Sequence, residues 1–178
     1  MKILAFAGSN SSQSINRKLV KYALTYFEGH EITFLDLNDY EMPLFSVDRE
    51  AKDGHPYLAH EFLAKIAACD LMIVSLAEHN RSYTVAFKNI FDWCSRINVK
   101  LFQDKPMFLM STSPGRAGGV NVMNTAKTFF PQFGANILET FSLPQFQVNF
   151  SETEGIAQPE LQTEFLEKIN KVAAFANA

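Results

Sequence analysis

Three short segments of this sequence concentrate side chains that could do chemistry. The first, Gly8-Ser9-Asn10-Ser11-Ser12-Gln13-Ser14-Ile15-Asn16, carries the hydroxyls of Ser9, Ser11, Ser12 and Ser14 and the amides of Asn10 and Asn16. It lacks the GK[ST] ending of a P-loop and the spacing of GxGxxG. Small donors just before a helix suit an anion, because the first N–H groups of a helix are unpaired and sit at the positive end of its dipole. The plainer alternative is a serine-rich turn with Ser14 as the helix cap. The second segment, Ala77-Glu78-His79-Asn80-Arg81-Ser82, is followed by Lys88-Asn89-Ile90-Phe91-Asp92-Trp93. The third runs from Ser111 through Ser113-Pro114-Gly115-Arg116 to Gly119. Its glycines would let the backbone approach a flat ligand with no Cβ in the way. No GxSxG, Cys-His pair or CxxC spacing offers a nucleophile or a metal site. Cys69 and Cys94 each fall inside an apolar periodic run and read as small buried hydrophobes.

The elements that must position these segments alternate strand and helix. Ile3–Ala7 is a continuous apolar run stopped by Gly8, as expected of a strand buried on both faces. Val20, Ala23, Leu24 and Phe27 recur at helical spacing, and Glu31–Asp36 reads as the second strand. From Leu37 to Pro56 there is little periodicity, so a long loop is expected there, a lid or an interface element. Ala59, Phe62, Leu63 and Ile66 mark a helix, Leu71–Leu76 a third strand, and Phe87, Ile90, Phe91 and Cys94 another helix. Met107–Met110 and Ala135–Phe141 read as the last two strands, with a helix from about Gly119 to Phe130 stopped by Pro131. Leu161, Phe165, Ile169 and Val172 mark a closing helix. Five strands separated by helices imply a parallel α/β sheet covered on both faces and doubly wound. In such sheets a ligand lies beyond the carboxyl ends of the strands. The loops after the first, third and fourth strands are the three segments already singled out.

Composition narrows the class. With 178 residues, 47% hydrophobic and 20% charged, the chain suits one globular domain spanning residues 1–178. The net charge of −3, with scattered Lys and Arg, argues against nucleic acid as a partner. No apolar run approaches the ~18 residues of a membrane span, and Met1-Lys2 leads directly into the short first strand, so a cytoplasmic setting is the expectation. Phe contributes 17 residues, which predicts a ring-rich core or interface.

The motifs resemble those of the NAD(P)H-dependent FMN reductases. That family carries a GSxRxxSxN-type loop after strand one, a PEYNxSxPGxLKNxxDWxSR-type segment after strand three and an SxSPGxxGG loop after strand four. Here the first two read GSNSSQSIN and AEHNRSYTVAFKNIFDWCSR. Glu78, Asn80, Ser82, Lys88, Asn89, Asp92, Trp93, Ser95 and Arg96 fall in register. Ser11 stands where the family has arginine, His79 where it has tyrosine, and Thr84-Val85 where it has Pro-Gly. The resemblance implies a flavodoxin-like three-layer α/β sandwich with strand order 2-1-3-4-5. It implies FMN held by Ser9, Asn10, Ser11, Ser14, Ile15 and Asn16, by Ala77, Glu78, His79, Asn80 and Ser82, and by Ser113, Pro114 and Gly115. It also implies NADPH or NADH as co-substrate and a ping-pong reaction with a flat acceptor such as a flavin, quinone, azo compound or metal ion. Assembly is expected as a homodimer or tetramer. Arg81 and Arg116 could attract the anionic dinucleotide, solvated surface arginines being the plainer reading; Lys88, Asn89 and Asp92 are expected to shape their helix and subunit contacts.

Two rival functions stay open on these residues. A flavodoxin-type electron carrier would share the fold, but the Thr-rich TGxT loop and strong acidity of such carriers are absent. A non-catalytic FMN-binding sensor or partner protein is favoured by the departures at Ser11 and Thr84-Val85.

Overall fold

A computed structural model describes residues 1–178. Its centre is a parallel sheet of β1 (Lys2–Gly8), β2 (Glu31–Leu35), β3 (Leu71–Leu76), β4 (Pro106–Thr112) and β5 (Asn136–Leu143), in the order β2-β1-β3-β4-β5. Because side chains alternate along a strand, each strand feeds two cores. Leu4, Phe6, Met72, Val74, Met107 and Leu109 face α3 (Tyr57–Ala68), α4 (Val85–Ile97) and α5 (Val120–Phe129). Ile3, Ala5, Leu71, Ile73, Phe108 and Met110 face α1 (Ile15–Leu24) and α6 (Pro159–Ala176). β1, β3 and β4 are buried almost end to end, which is why they read as unbroken apolar runs. The fold class and strand order are those the sequence implies.

The phenylalanines are spent mainly inside. Phe91, Phe102, Phe130 and Phe133 form one ring cluster, with Phe102 and Phe130 centroids 4.6 Å apart. On the other face Phe165 meets Phe108, Phe141, Tyr22 and Tyr26. Trp93 is fully buried, and both free cysteines are buried. Burial pushes the thiol of Cys69 up to about 11 and that of Cys94 up to about 12, so neither is a thiolate at neutral pH.

Two expectations are corrected. The stretch from Leu37 to Pro56 is not simply a loop: it contains a 3-10 turn, Leu37–Tyr40, and α2, Val47–Asp53. No residue of α2 is buried, so it left no apolar stripe to read. Ser46 caps it by accepting from Arg49 N at 3.1 Å, and it ends at Gly54 with φ +74°. The helix expected from about Gly119 to Phe130 is present as α5 and ends before Pro131; a 3-10 turn over Phe130–Phe133 follows, with Pro131 in its first turn, where a missing N–H costs nothing. The second correction is in the segment after β3, expected as a loop, which contains a two-residue hairpin, Glu78–His79 against Ser82–Tyr83. Asn80 and Arg81 turn it with φ of +50° and +65°, the left-handed pair that suits the twist of a hairpin.

The strap between the 3-10 turn and α2 is held by α4. Asn89 accepts from Phe45 N at 2.9 Å and donates to Met42 O at 3.0 Å, while Trp93 Nε1 donates to Pro43 O at 2.7 Å. Glu50 on α2 accepts from Arg96 of α4 at 3.0 Å and lies 3.0 Å from His55 Nε2; the Arg96 hydrogen bond holds its carboxyl below the usual carboxylate range. Asn89 thus shapes the strap as well as its helix. Asn89→Ala strands Phe45 N and Met42 O, and should cost about 1–3 kcal/mol. The check is a lower urea midpoint with an unchanged slope; an unshifted midpoint would show that the strap is held by other contacts.

Candidate active site

The loop after β1 reaches α1 through hydroxyls that accept main-chain N–H groups. Ser9 Oγ accepts from Ser11 N at 3.2 Å, Ser11 Oγ from Gln13 N at 3.2 Å, and Ser14 Oγ, the α1 cap, from Arg17 N at 3.2 Å. Each hydroxyl is oriented as an acceptor, and its own proton stays free to donate outward. The N–H groups of Asn10, Ser12, Ile15 and Asn16 have no acceptor in the chain. The crest of this loop is therefore a set of unspent donors at a helix N-terminus, the chemistry an oxyanion needs.

Asn16 has a different task. It is almost fully buried; its Oδ1 accepts from Ser75 Oγ at 2.7 Å and from Thr112 N at 3.1 Å, and its Nδ2 donates to Thr112 O at 3.2 Å. One carboxamide joins the start of α1 to the ends of β3 and β4. Only its main-chain N–H remains for a ligand.

Glu78 is likewise engaged. Its carboxylate accepts from Asn121 Nδ2 at 3.1 Å and from Val122 N at 2.9 Å, which ties the hairpin to the first turn of α5. Thr84, the α4 cap, donates to Gly8 O at 2.9 Å and so fixes the hairpin's exit to the end of β1. The loop after β4 is held from its far side: Ser113 O and Gly115 O accept from Phe146 N at 3.1 Å and Gln145 N at 2.9 Å. At Gly118, φ is +60° and a Cβ would lie 2.8 Å from Pro144 N, so the backbones approach more closely than any side chain allows.

A cleft of about 300 Å³ lies between these loops. Ser9, Ser11, Ser14, Ile15 and Asn16 line it from the first loop, Ala77, Glu78 and His79 from the second, and Ser113 and Pro114 from the third. Gln13, Thr112 and Gln147 line it too, though their residue types had not marked them out. Gln13 was legible as part of the first loop, whereas Gln147, beyond β5, carries no motif. Gly115, Asn80 and Ser82 lie outside the lining, the last two around the hairpin turn. Arg81 and Arg116 are exposed, and neither forms an ion pair. Glu78 is the one carboxylate in the lining, with no Lys or Arg beside it. Asn10 lines a second cleft of about 290 Å³, which meets the first at His79.

Asn16→Leu should cost about 3 kcal/mol, because an apolar side chain of similar size leaves Ser75 Oγ and the Thr112 peptide buried without partners. Equilibrium urea unfolding measures this; a loss under 1 kcal/mol would mean that the strands find other partners.

Comparison with known proteins places this architecture. Residues 1–154 match the NADPH-dependent FMN reductase family. A probable NADPH:quinone oxidoreductase of rice is 27% identical over 99% of this chain and 89% of its own length. An NAD(P)H-dependent FMN reductase of Pseudomonas aeruginosa is 31% identical over 66% of this chain and 63% of its own. The match spans only 61% of the Arabidopsis NADPH:quinone oxidoreductase. Among solved structures, the flavoenzyme NAD(P)H:(acceptor) oxidoreductase of Paracoccus denitrificans superposes with a TM-score of 0.70 at 24% identity, covering 96% of this chain and 97% of that one. An FMN-dependent NADH-azoreductase of Bacillus anthracis, solved with FMN, gives 0.68 at 14% identity over 98% of both chains, a likeness of fold. With a match over 154 residues running from β1 past β5 and through all three loops of the cleft, this chain belongs to the NADPH-dependent FMN reductase family.

Proposed function

We propose that the chain is an FMN-dependent NAD(P)H oxidoreductase that passes electrons to a small flat acceptor in ping-pong order. The observation that carries the reading is the crest of the first loop, where oriented hydroxyls and four unpaired N–H groups supply donors at the start of α1. A phosphate group fits that donor set without a cation, so Ser11 in place of arginine does not remove the site. The N–H groups of Ser113 and Gly115 are also without acceptors, matching the carbonyl-rich edge of a flavin ring. Bound FMN would supply the redox chemistry, taking hydride from the nicotinamide and returning two electrons to an acceptor.

The residues divide the remaining work. Ser9, Ser11, Ser14 and the first turn of α1 would bind the phosphate, while Asn10, Ala77 and His79 with Ser113–Gly115 would frame the ring. Asn16, Glu78 and Thr84 would act behind them, keeping three loops in register so that one face of the ring stays open. Arg81 and Arg116, both without ion-pair partners, would draw in the dinucleotide phosphates. The relatives named as quinone oxidoreductases support a quinone among the acceptors. The reading includes one functional unit over residues 1–178, a homodimer, and a cytoplasmic setting in which Cys69 and Cys94 remain thiols. No helix is long and apolar enough to cross a membrane.

Purified protein titrated with FMN should shift the flavin bands, and anaerobic NADPH should then bleach them. Flavin that binds but stays yellow would favour the carrier or sensor, and no binding would overturn the reading. Ser9→Ala with Ser14→Ala should weaken FMN at least tenfold while the fold persists, with about 1 kcal/mol lost from the α1 cap. Unchanged FMN affinity in that variant would remove the first loop from the site.

A further inference from the structure

A third cleft, of about 340 Å³, begins where the first one ends, and Gln13 and Ser14 line both. From there it runs along α1 as far as Thr25, with the segment after β5 as its opposite wall at Phe150 and Glu152. That wall is fixed at its base. Asn149 Nδ2 donates to Pro144 O at 2.9 Å, Asn149 O accepts from Ala157 N at 2.9 Å, and Phe146 is buried against the sheet.

The cations of this region lie beyond the phosphate loop and not in it. There is no Lys or Arg from Gly8 to Asn16, whereas α1 carries Arg17, Lys18 and Lys21 and no acid, in a chain of net charge −3. Arg17 and Lys18 stand about one turn past Ser14 and Lys21 about two. Helical side chains lean toward the N-terminus, which is the loop side here. Arg17 is paired with Asp36, which lies outside the lining, and Lys18 meets Glu152 across the groove at 2.5 Å. Glu152 is 69% exposed, and an exposed pair of this kind is weak enough for a phosphate to displace the carboxylate. Lys21 forms no ion pair. The neutral donors of the first loop suffice for one phosphate; the cations beyond them match a second phosphate bonded to the first. Tyr22 and Phe150, both partly exposed with ring centroids 5.5 Å apart, add aromatic surface of the kind on which a nucleobase stacks.

We propose that this groove seats the adenosine monophosphate half of FAD, so that the cofactor site accepts a flavin dinucleotide as well as FMN. The inference rests on the flavin reading, because the ligand enters the groove from the phosphate loop. Joined at Gln13 and Ser14, the two clefts form one path for a molecule with a flavin at one end and an adenine at the other. A site closed behind the FMN phosphate would reject FAD, whose pyrophosphate needs an exit.

Calorimetric titration of the flavin-free protein with FMN and with FAD decides it. FAD should bind at least as tightly as FMN in low salt, and more of its affinity than of FMN's should be lost in high salt. Lys21→Glu should weaken FAD roughly fivefold and FMN by less than about twofold, since an exposed charge acts mainly within one Debye length. Lys21→Gln should fall between the wild type and Lys21→Glu. Thr25→Trp, which fills the far end of the groove, should weaken FAD and leave FMN unaltered. FMN bound in preference to FAD overturns this inference alone, and so does an unchanged FAD to FMN ratio in Lys21→Glu. If Lys21→Glu spares FAD but weakens NADPH binding to the FMN-loaded protein, the groove serves the dinucleotide substrate and the inference is again overturned. Binding of neither flavin defeats the functional reading, and this inference with it.

Discussion

The carboxamide of Asn16 is the contact on which the candidate site depends. A parallel sheet leaves the C-terminal ends of its strands side by side, but nothing in the ladder itself aligns the loops that leave them. Asn16 reaches across from the first turn of α1 and satisfies Ser75 on β3 together with both main-chain groups of Thr112 on β4. Burying an amide is expensive unless its hydrogen bonds are made, and here three are made to two strands. The first loop is thereby fixed to the rest of the crest. Thr84 to Gly8 and Glu78 to α5 extend the same logic to the hairpin and to the loop after β4.

Glu78 shows how such positioning can run against binding. A carboxylate in the lining of a cleft proposed for an anionic cofactor raises the electrostatic cost of binding. Its two oxygens, however, face the N-terminal turn of α5, where the helix dipole and the Val122 N–H offset the charge. The donors of the first loop are neutral, and the cleft's one acid sits where a helix can absorb it.

The long segment between β2 and α3 is the second place where packing controls chemistry. Between its 3-10 turn and α2, the main-chain groups of Met42, Pro43 and Phe45 are satisfied by Asn89 and Trp93 from α4 and not by regular secondary structure. The Lys88–Trp93 stretch that recurs in the family motif thus serves the outer wall of the crest, while Lys88 and Asp92 pair with each other at the surface. One helix links the core, the strap and the second cleft.

The sequence by itself determined the fold class, the strand order once the motifs were recognised, and the loops that form the crest. Those features follow from local causes: apolar runs at β1, β3 and β4, helical spacing in α3 and α4, and small donors at Ser9–Asn16. It did not reveal α2, because a helix with no buried face has no apolar period, nor the hairpin, because two-residue strands are too short to alternate. Only tertiary structure decided which polar side chains in these loops stay unpaired and which are spent on contacts within the protein. Asn16 and Glu78 sit in motifs beside Ser9 and His79, yet their side chains are consumed by partners 96 and 44 positions away in the chain. Gln147 came into view for the converse reason: it belongs to no pattern and gains its place in the cleft wall only after distant strands and helices have packed.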